Sequence, residues 1–378
     1  MPRRVALCLC LLLCLFAARP AGAQILELPK RVFSSIFNDT VSPERPKFIA
    51  YPTVAYAPET AWEFGVSALY VYYAGRDTTN RLSEINAFTF ITLESQYGLW
   101  LDHALYSDRS KWFFLGRLRY QRFPLLYYGI GPDAPDRELA QVDANSIALR
   151  ERVLRNLSGS LFLGLELDFQ RLGSVTFEEL TDEPFERPRG ADGSTNWGLG
   201  LGLVYDQRHN VLNVREGFFG EGGFLHYDEA LGSDFTFTSY FLDARYYQPV
   251  TESQVLAAQA FVSHITGEVP FNQLSLMGGE SLMRGYYLGR YRDKSYVATQ
   301  LEYRFLPFPF SRRWGAAAFV GTGGVSPALS AVNLRKWAVA GGGGVRFLIF
   351  PNKDIFTRID VAFTREGPGY YFFIGEAF

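Results

Sequence analysis

From Leu161 to Gln170 the chain alternates without a break, with Leu161, Leu163, Leu165, Leu167 and Phe169 set against Phe162, Gly164, Glu166, Asp168 and Gln170. Successive side chains of a strand point to opposite faces, so this segment presents one apolar face and one face that carries carboxylates. A soluble sandwich would turn the apolar face inward. A membrane barrel would turn it outward to lipid and leave the polar face to a wet lumen. Period-2 segments bounded by turn residues recur sixteen times, near 48–57, 62–74, 81–93, 96–107, 111–123, 144–156, 158–171 and 194–207 in the first half. The second half supplies 215–227, 234–248, 253–265, 294–305, 313–321, 335–348, 354–364 and 370–378. Most run 10–14 residues, against roughly 9–11 for a tilted strand that crosses a bilayer.

The polar faces decide between the two readings. Trp112, Phe114, Gly116, Leu118 and Tyr120 oppose Arg117, Arg119 and Gln121. Val297, Thr299, Leu301, Tyr303 and Phe305 oppose Ala298, Gln300, Glu302 and Arg304, and Ile355, Thr357, Ile359, Val361 and Phe363 oppose Arg358 and Asp360. Charges repeated on one face of strand after strand would ruin a sandwich core, whereas in a lumen they meet water or one another. The long polar connections (124–143, 173–193, 266–293 and 322–334) each follow an odd-numbered strand, and short ones follow even-numbered strands. Long loops on one side and short turns on the other are the pattern of outer-membrane barrels. The fold expected is all-β, a transmembrane antiparallel β-barrel of about sixteen strands.

The ends refine this picture. Arg3 and Arg4, an apolar run from Val5 to Ala18, and Ala21-Gly22-Ala23 before Gln24 read as a cleaved secretory signal over 1–23. The run is too short for a spanning helix, which needs roughly 17–25 residues. All three cysteines lie inside it, so the mature chain has neither a disulfide framework nor a thiol nucleophile. The formal charge of the whole sequence is −2 and the signal removes only arginines, which argues against a nucleic-acid partner. Aromatic residues at 16% and 36 glycines beside only 3 methionines suit strands and interfacial girdles. Residues 24–47 are expected to form a short periplasmic segment, irregular because of Pro29, Pro43 and Pro46, with the barrel over 48–378. Phe378, Ile374, Phe372 and Tyr370 fall on one alternating face, interrupted by Glu376, and resemble the terminal aromatic signature of bacterial outer-membrane barrels.

Leu282-Met283-Arg284-Gly285-Tyr286, in the long loop before 294–305, resembles the Val-Arg-Gly-Phe/Tyr loop of the BamA/TamA superfamily, whose barrel domain is the bacterial surface antigen family. Two further segments are similar to that family: Tyr205-Asp206-Gln207-Arg208 with Asn213 and Gly217, a periplasmic turn motif, and Gly344-Val345-Arg346 followed by Arg358-Ile359-Asp360. The resemblance covers about 48–378 and implies a sixteen-stranded barrel whose long extracellular loop folds into the lumen. It implies a loop lock by Arg284, Gly285 and Tyr286. The carboxylate that relatives supply two residues after a Phe is missing at Phe319-Val320-Gly321, so Glu302 is the expected partner of Arg284, with Asp360 second. A buried guanidinium needs such partners. The alternative is that Arg284 faces water in an external loop.

Residues 24–47 are too short for the periplasmic polypeptide-transport-associated domain that such relatives carry. The first strand contains Pro52, which cannot donate to a ladder and is normally confined to edges. It should meet the last strand, with Gly369, Gly375 and Phe378, along a weak lateral seam; the alternative is that Pro52 only starts its strand. His103, His209, His226 and His264 are scattered, without metal-ligand spacing, and no cofactor is expected. His264 beside Ser263 lacks a nucleophile elbow, and the glycine runs lack the ending of a phosphate loop. The chain reads as a non-enzymatic outer-membrane protein of a Gram-negative bacterium. Its partners would be outer-membrane lipid and client β-barrel or secreted polypeptides, in protein insertion or translocation or in assistance to it. The second reading, from another class, is a passive channel or structural surface antigen.

Overall fold

Each apolar-alternating segment finds its partner in the next, so the sheet is built from antiparallel neighbours in chain order. A computed structural model describes residues 42, 44–57, 61–93, 95–122, 124–182 and 184–378. The expected signal over 1–23 and nearly all of 24–47 lie outside the described residues. The strands are β1 (Lys47–Ala57), β2 (Ala61–Tyr73), β3 (Leu82–Thr92), β4 (Tyr97–Tyr106), β5 (Trp112–Arg122) and β6 (Leu125–Tyr127). Next come β7 (Ala140–Ser158), β8 (Leu161–Glu179), β9 (Ser194–Asp206), β10 (Gly217–Tyr227), β11 (Phe237–Thr251), β12 (Gln254–Gly267) and β13 (Ser275–Met277). The chain finishes with β14 (Tyr291–Asp293), β15 (Ser295–Phe305), β16 (Trp314–Ser326), β17 (Ala338–Phe350), β18 (Ile355–Thr364) and β19 (Gly367–Ile374).

Sixteen of these are long, and they form the wall of an antiparallel β-barrel. The short β6 continues the line of β5 against β7, and β13 with β14 makes a separate hairpin inside the long loop. The wall has the expected polarity. Leu163, Leu165 and Leu167 are exposed on the outside, while Phe162, Glu166 and Asp168 are buried inside. Inside, Glu166 is held by Arg150 and Arg152, and Asp168 accepts from the Tyr227 hydroxyl at 2.7 Å.

Three features differ from the sequence expectation. β7 and β8 are 19 residues each, longer than the 144–156 and 158–171 read from alternation. Their excess is a hairpin beyond the wall, because Val142, Leu172 and Phe177 pack with Tyr127 and Phe271 into an apolar cap. The second difference is at the end of the chain. β19 stops at Ile374, and Gly375 turns the chain with φ +89. Glu376, Ala377 and Phe378 then enter the lumen, where Phe378 packs with Tyr247, Phe113, Phe162, Phe219, Val204 and Val255. Gly375 and Phe378 therefore do not lie on the lateral seam, and Phe378 is 5% exposed rather than lipid-facing.

The third difference is that this cluster closes the short-turn end of the lumen. A strap formed by the β9–β10 connection (207–216) crosses below it. The strap reaches the β2–β3 turn, where the Leu82 amide donates to the His209 carbonyl at 3.2 Å. On the opposite side Arg215 and Asn213 donate to Asp354, the latter at 2.8 Å, and the Glu376 amide donates to the Leu212 carbonyl at 3.0 Å.

Candidate functional site

The loop between β12 and β15 turns back into the lumen, and its tip is Met283-Arg284-Gly285-Tyr286. The tip needs an unusual backbone: Met283 has φ +56 and Gly285 φ +103. Glycine at 285 also leaves room, since a Cβ there would fall 2.5 Å from Thr364 Cγ2 on β18. The Gly285 amide donates to the Tyr371 hydroxyl at 2.7 Å, and a Cβ on Gly369 would sit 3.0 Å from the Gly285 Cα. Gly285→Ala is expected to strain the tip by about 1–3 kcal/mol and to make the loop a preferred site for added protease. Equal cleavage rates in both proteins would overturn this.

Arg284 sits at the centre, fully buried. Its Nη1 donates to Asp360 Oδ2 at 2.8 Å and its Nη2 to Glu302 Oε2 at 2.5 Å. Its guanidinium carbon lies 3.4 Å from the centroid of the Phe319 ring. The Phe two residues before the position of the missing carboxylate thus stacks on the cation instead.

Three further arginines complete the cluster. Arg304 donates to Glu302 Oε1 at 2.7 Å, Arg346 to Asp360 Oδ1 at 2.5 Å, and Arg358 to Asp360 Oδ2 at 2.8 Å. Glu376, the residue that interrupts the terminal alternation, accepts from Arg346 Nε at 2.9 Å. Glycine on β17 makes this fit possible, because a Cβ at 344 would lie 2.2 Å from Asp360 Oδ1. Sequence reasoning named Arg284, Glu302 and Asp360. It did not assign Arg304, Arg346, Arg358 and Glu376 to the site, although Arg304 and Arg358 stand on inward faces that the alternation marks and Arg346 lies in a segment similar to the family.

The rest of the loop is held by apolar packing and its own hairpin. Met277, Met283, Tyr286, Tyr291 and Tyr296 share a cluster with Leu126 and Tyr128. Burial pushes the Tyr286 and Tyr291 phenols above their ordinary values, so both stay neutral. Arg292 donates to the carbonyls of Leu126 and Gly289, each at 3.0 Å.

At the short-turn end, Asp206 accepts from the Arg208 amide at 2.9 Å, from Arg208 Nε at 3.0 Å and from the Tyr106 hydroxyl at 2.5 Å. Arg208 also stacks on Phe219 at 3.7 Å. Gly217 opens β10 with φ +103, its virtual Cβ 3.2 Å from Gln207 Cβ. The motif thus anchors the strap at the floor. Pro52 is exposed on β1, paired with Val66 of β2. Among the described residues no ladder joins β1 to β19. These strands meet where the Tyr51 and Phe372 rings lie edge to face at 6.2 Å. His264 and Ser263 point away from each other, to Ser295 and Ser275, and no group able to hold a metal is found among the described residues.

A barrel of sixteen long strands with an arginine-tipped loop buried in its lumen defines a class of outer-membrane protein, and the sequence agrees. It matches the Omp85 superfamily domain over residues 106–349, more than half of the chain, and the chain belongs to that superfamily. Members are transporters and assembly factors rather than enzymes. Among solved structures the barrel is similar to BamA from Haemophilus ducreyi lacking POTRA domains 1–3, at 13% identity and TM-score 0.54 over 87% of this chain and 69% of that one. It is also similar to CdiB from Acinetobacter baumannii, at 10% identity and TM-score 0.55, and to CdiB from Escherichia coli, at 10% and 0.53. Each of these two matches covers 87% of this chain, which spans 59% and 62% of the respective CdiB chains. No curated protein sequence matches.

Proposed function

We propose that the protein inserts polypeptides into the outer membrane or translocates them across it, or assists a fuller relative in doing so, after export with a signal cleaved near Ala23. The observation that carries this reading is the seam. Among the described residues every other neighbouring pair of long strands is zipped by a ladder, whereas β1 and β19 share no ladder and meet at an edge-to-face ring pair. Free strand edges are templates for an added strand, and Pro52 keeps the β1 edge from becoming a complete donor row. In this reading Arg284, held by Glu302 and Asp360, keeps the loop seated while the seam opens, and the Asp206–Arg208 motif holds the strap below. The closed floor and the filled upper lumen argue against a passive channel. The lumen carboxylates Glu166 of β8 and Glu302 of β15 are matched by arginines, so a client strand would enter along the seam rather than through the centre.

The test is a census of outer-membrane and exported proteins. Deletion of the gene should deplete particular barrel or surface proteins. A strain whose Tyr51→Cys and Phe372→Cys sites are joined by a short bifunctional thiol reagent should show the same depletion. An unchanged census in both would overturn the reading.

A further inference from the structure

One pair of ionisable side chains stands on the wrong face of the wall. His103 of β4 and Glu151 of β7 flank Gly116 of β5 in register. Gly116 shares a face with Trp112 and Tyr120, both exposed to the outside. The two side chains meet over it, His103 Nε2 lying 3.0 Å from Glu151 Oε2. A Cβ on Gly116 would fall 2.2 Å from each of these atoms, so the glycine is what lets them join.

The pair lies in the middle of the lipid-facing band. Gly116 is four residues from the girdle residue Trp112 and four from Tyr120, or about 13 Å of strand to either side. Around it the outer surface is Leu99, Leu101, Leu118, Val153, Leu165 and Leu167. Among the described residues no other ionisable pair faces outward between these girdles. The side chains retain 15% and 30% of their exposure, so they reach the surface of the wall. Acyl chains offer neither donor nor acceptor to such groups, and polar side chains at this depth face a protein partner or water.

We propose that this patch is where two copies of the chain meet in the membrane. Symmetry makes the charges of the pair complementary to themselves. Two copies inserted in the same direction can be related by a two-fold axis along the membrane normal. That axis reverses left and right on the facing walls. His103 of one copy is thereby set on the side of the other's Glu151, and Glu151 on the side of its His103. A second copy is the occupant for which complementarity follows from the pair itself. Gly116 keeps the centre of the patch low, and the surrounding leucines and Val153 form its dry rim.

The sequence has no cysteine after residue 14, so a single thiol reports cleanly. Leu118→Cys, next to Gly116 on the outer face, should give a cross-linked band of twice the monomer mass in native outer membranes treated with a short thiol reagent. Val345→Cys, on the distant β17 wall, should not. His103→Leu/Glu151→Leu leaves no charge in lipid and should still give a heat-modifiable barrel, with cross-linking at 118 reduced about ten-fold. The exchanged pair, His103→Glu/Glu151→His, should restore it. The proposal falls if Leu118→Cys in a folded barrel stays monomeric or joins a protein of another mass. It also falls if Val345→Cys cross-links equally, or if the apolar double variant dimerises undiminished.

Discussion

Glu302→Gln is expected to destabilise the barrel more than Arg284→Met, although the two residues share one hydrogen bond. The central cluster holds four guanidiniums, of Arg284, Arg304, Arg346 and Arg358, against the carboxylates of Glu302, Asp360 and Glu376. Removing Glu302 leaves four buried cations with two carboxylates, and both Arg284 and Arg304 lose their bonds to it. An uncompensated buried charge costs about 3–5 kcal/mol. Removing Arg284 leaves three arginines with three carboxylates. Glu302 keeps Arg304 at 2.7 Å, and Asp360 keeps Arg346 at 2.5 Å and Arg358 at 2.8 Å. The barrel then loses about 1–3 kcal/mol, and the principal loss falls on the loop, which gives up its central ionic tie. Urea unfolding in micelles reads the first effect and protease cleavage within 268–294 reads the second. Arg284→Met proving the more costly of the two for the barrel would sink this charge accounting.

How far the chain could be read in advance depended on what constrains each residue. Lipid imposes its demand locally, strand by strand, and the alternation of Leu161–Gln170 or Val297–Phe305 follows from that demand alone. All sixteen long strands were therefore legible. Beyond the membrane the demand ends, so the extension of β7 and β8 carried no outward apolar stripe and read as loop. Lumen contacts are non-local. Arg284 meets Glu302 and Asp360, and proximity to the loop and an inward face were enough to nominate them. Glu376 was misread as a break because its role depends on the turn at Gly375, which an alternating count passes over. The floor left a signal that alternation alone does not use. At the short-turn ends both faces are apolar, as in Trp112-Phe113-Phe114-Leu115, Val153-Leu154 and Leu203-Val204-Tyr205. One face there meets lipid and the other meets the floor.

That floor sets the second large effect. A sixteen-stranded wall is wide enough to enclose an aqueous channel, but two barriers stand in series here. The loop fills the upper lumen around Arg284, and the floor of Phe113, Phe162, Phe219, Tyr247 and Phe378 fills the lower. Barriers in series conduct only when both are removed. Arg284→Met alone should therefore leave liposome conductance close to that of the unaltered protein, even where the loop has become protease-sensitive. Phe162→Ala/Phe378→Ala alone should do the same, since the locked loop remains. The three substitutions together should raise conductance about ten-fold or more, toward that of an open barrel of this strand number. Steady conductance from Arg284→Met alone would mean that the floor does not seal. A silent triple variant that still migrates as a folded barrel would mean that something other than these two barriers closes the lumen. The expected pattern has a mechanical consequence: with the loop seated above and the floor in place below, the β1–β19 seam can open without making the membrane leak, and loss of the loop's ionic tie alone does not change that.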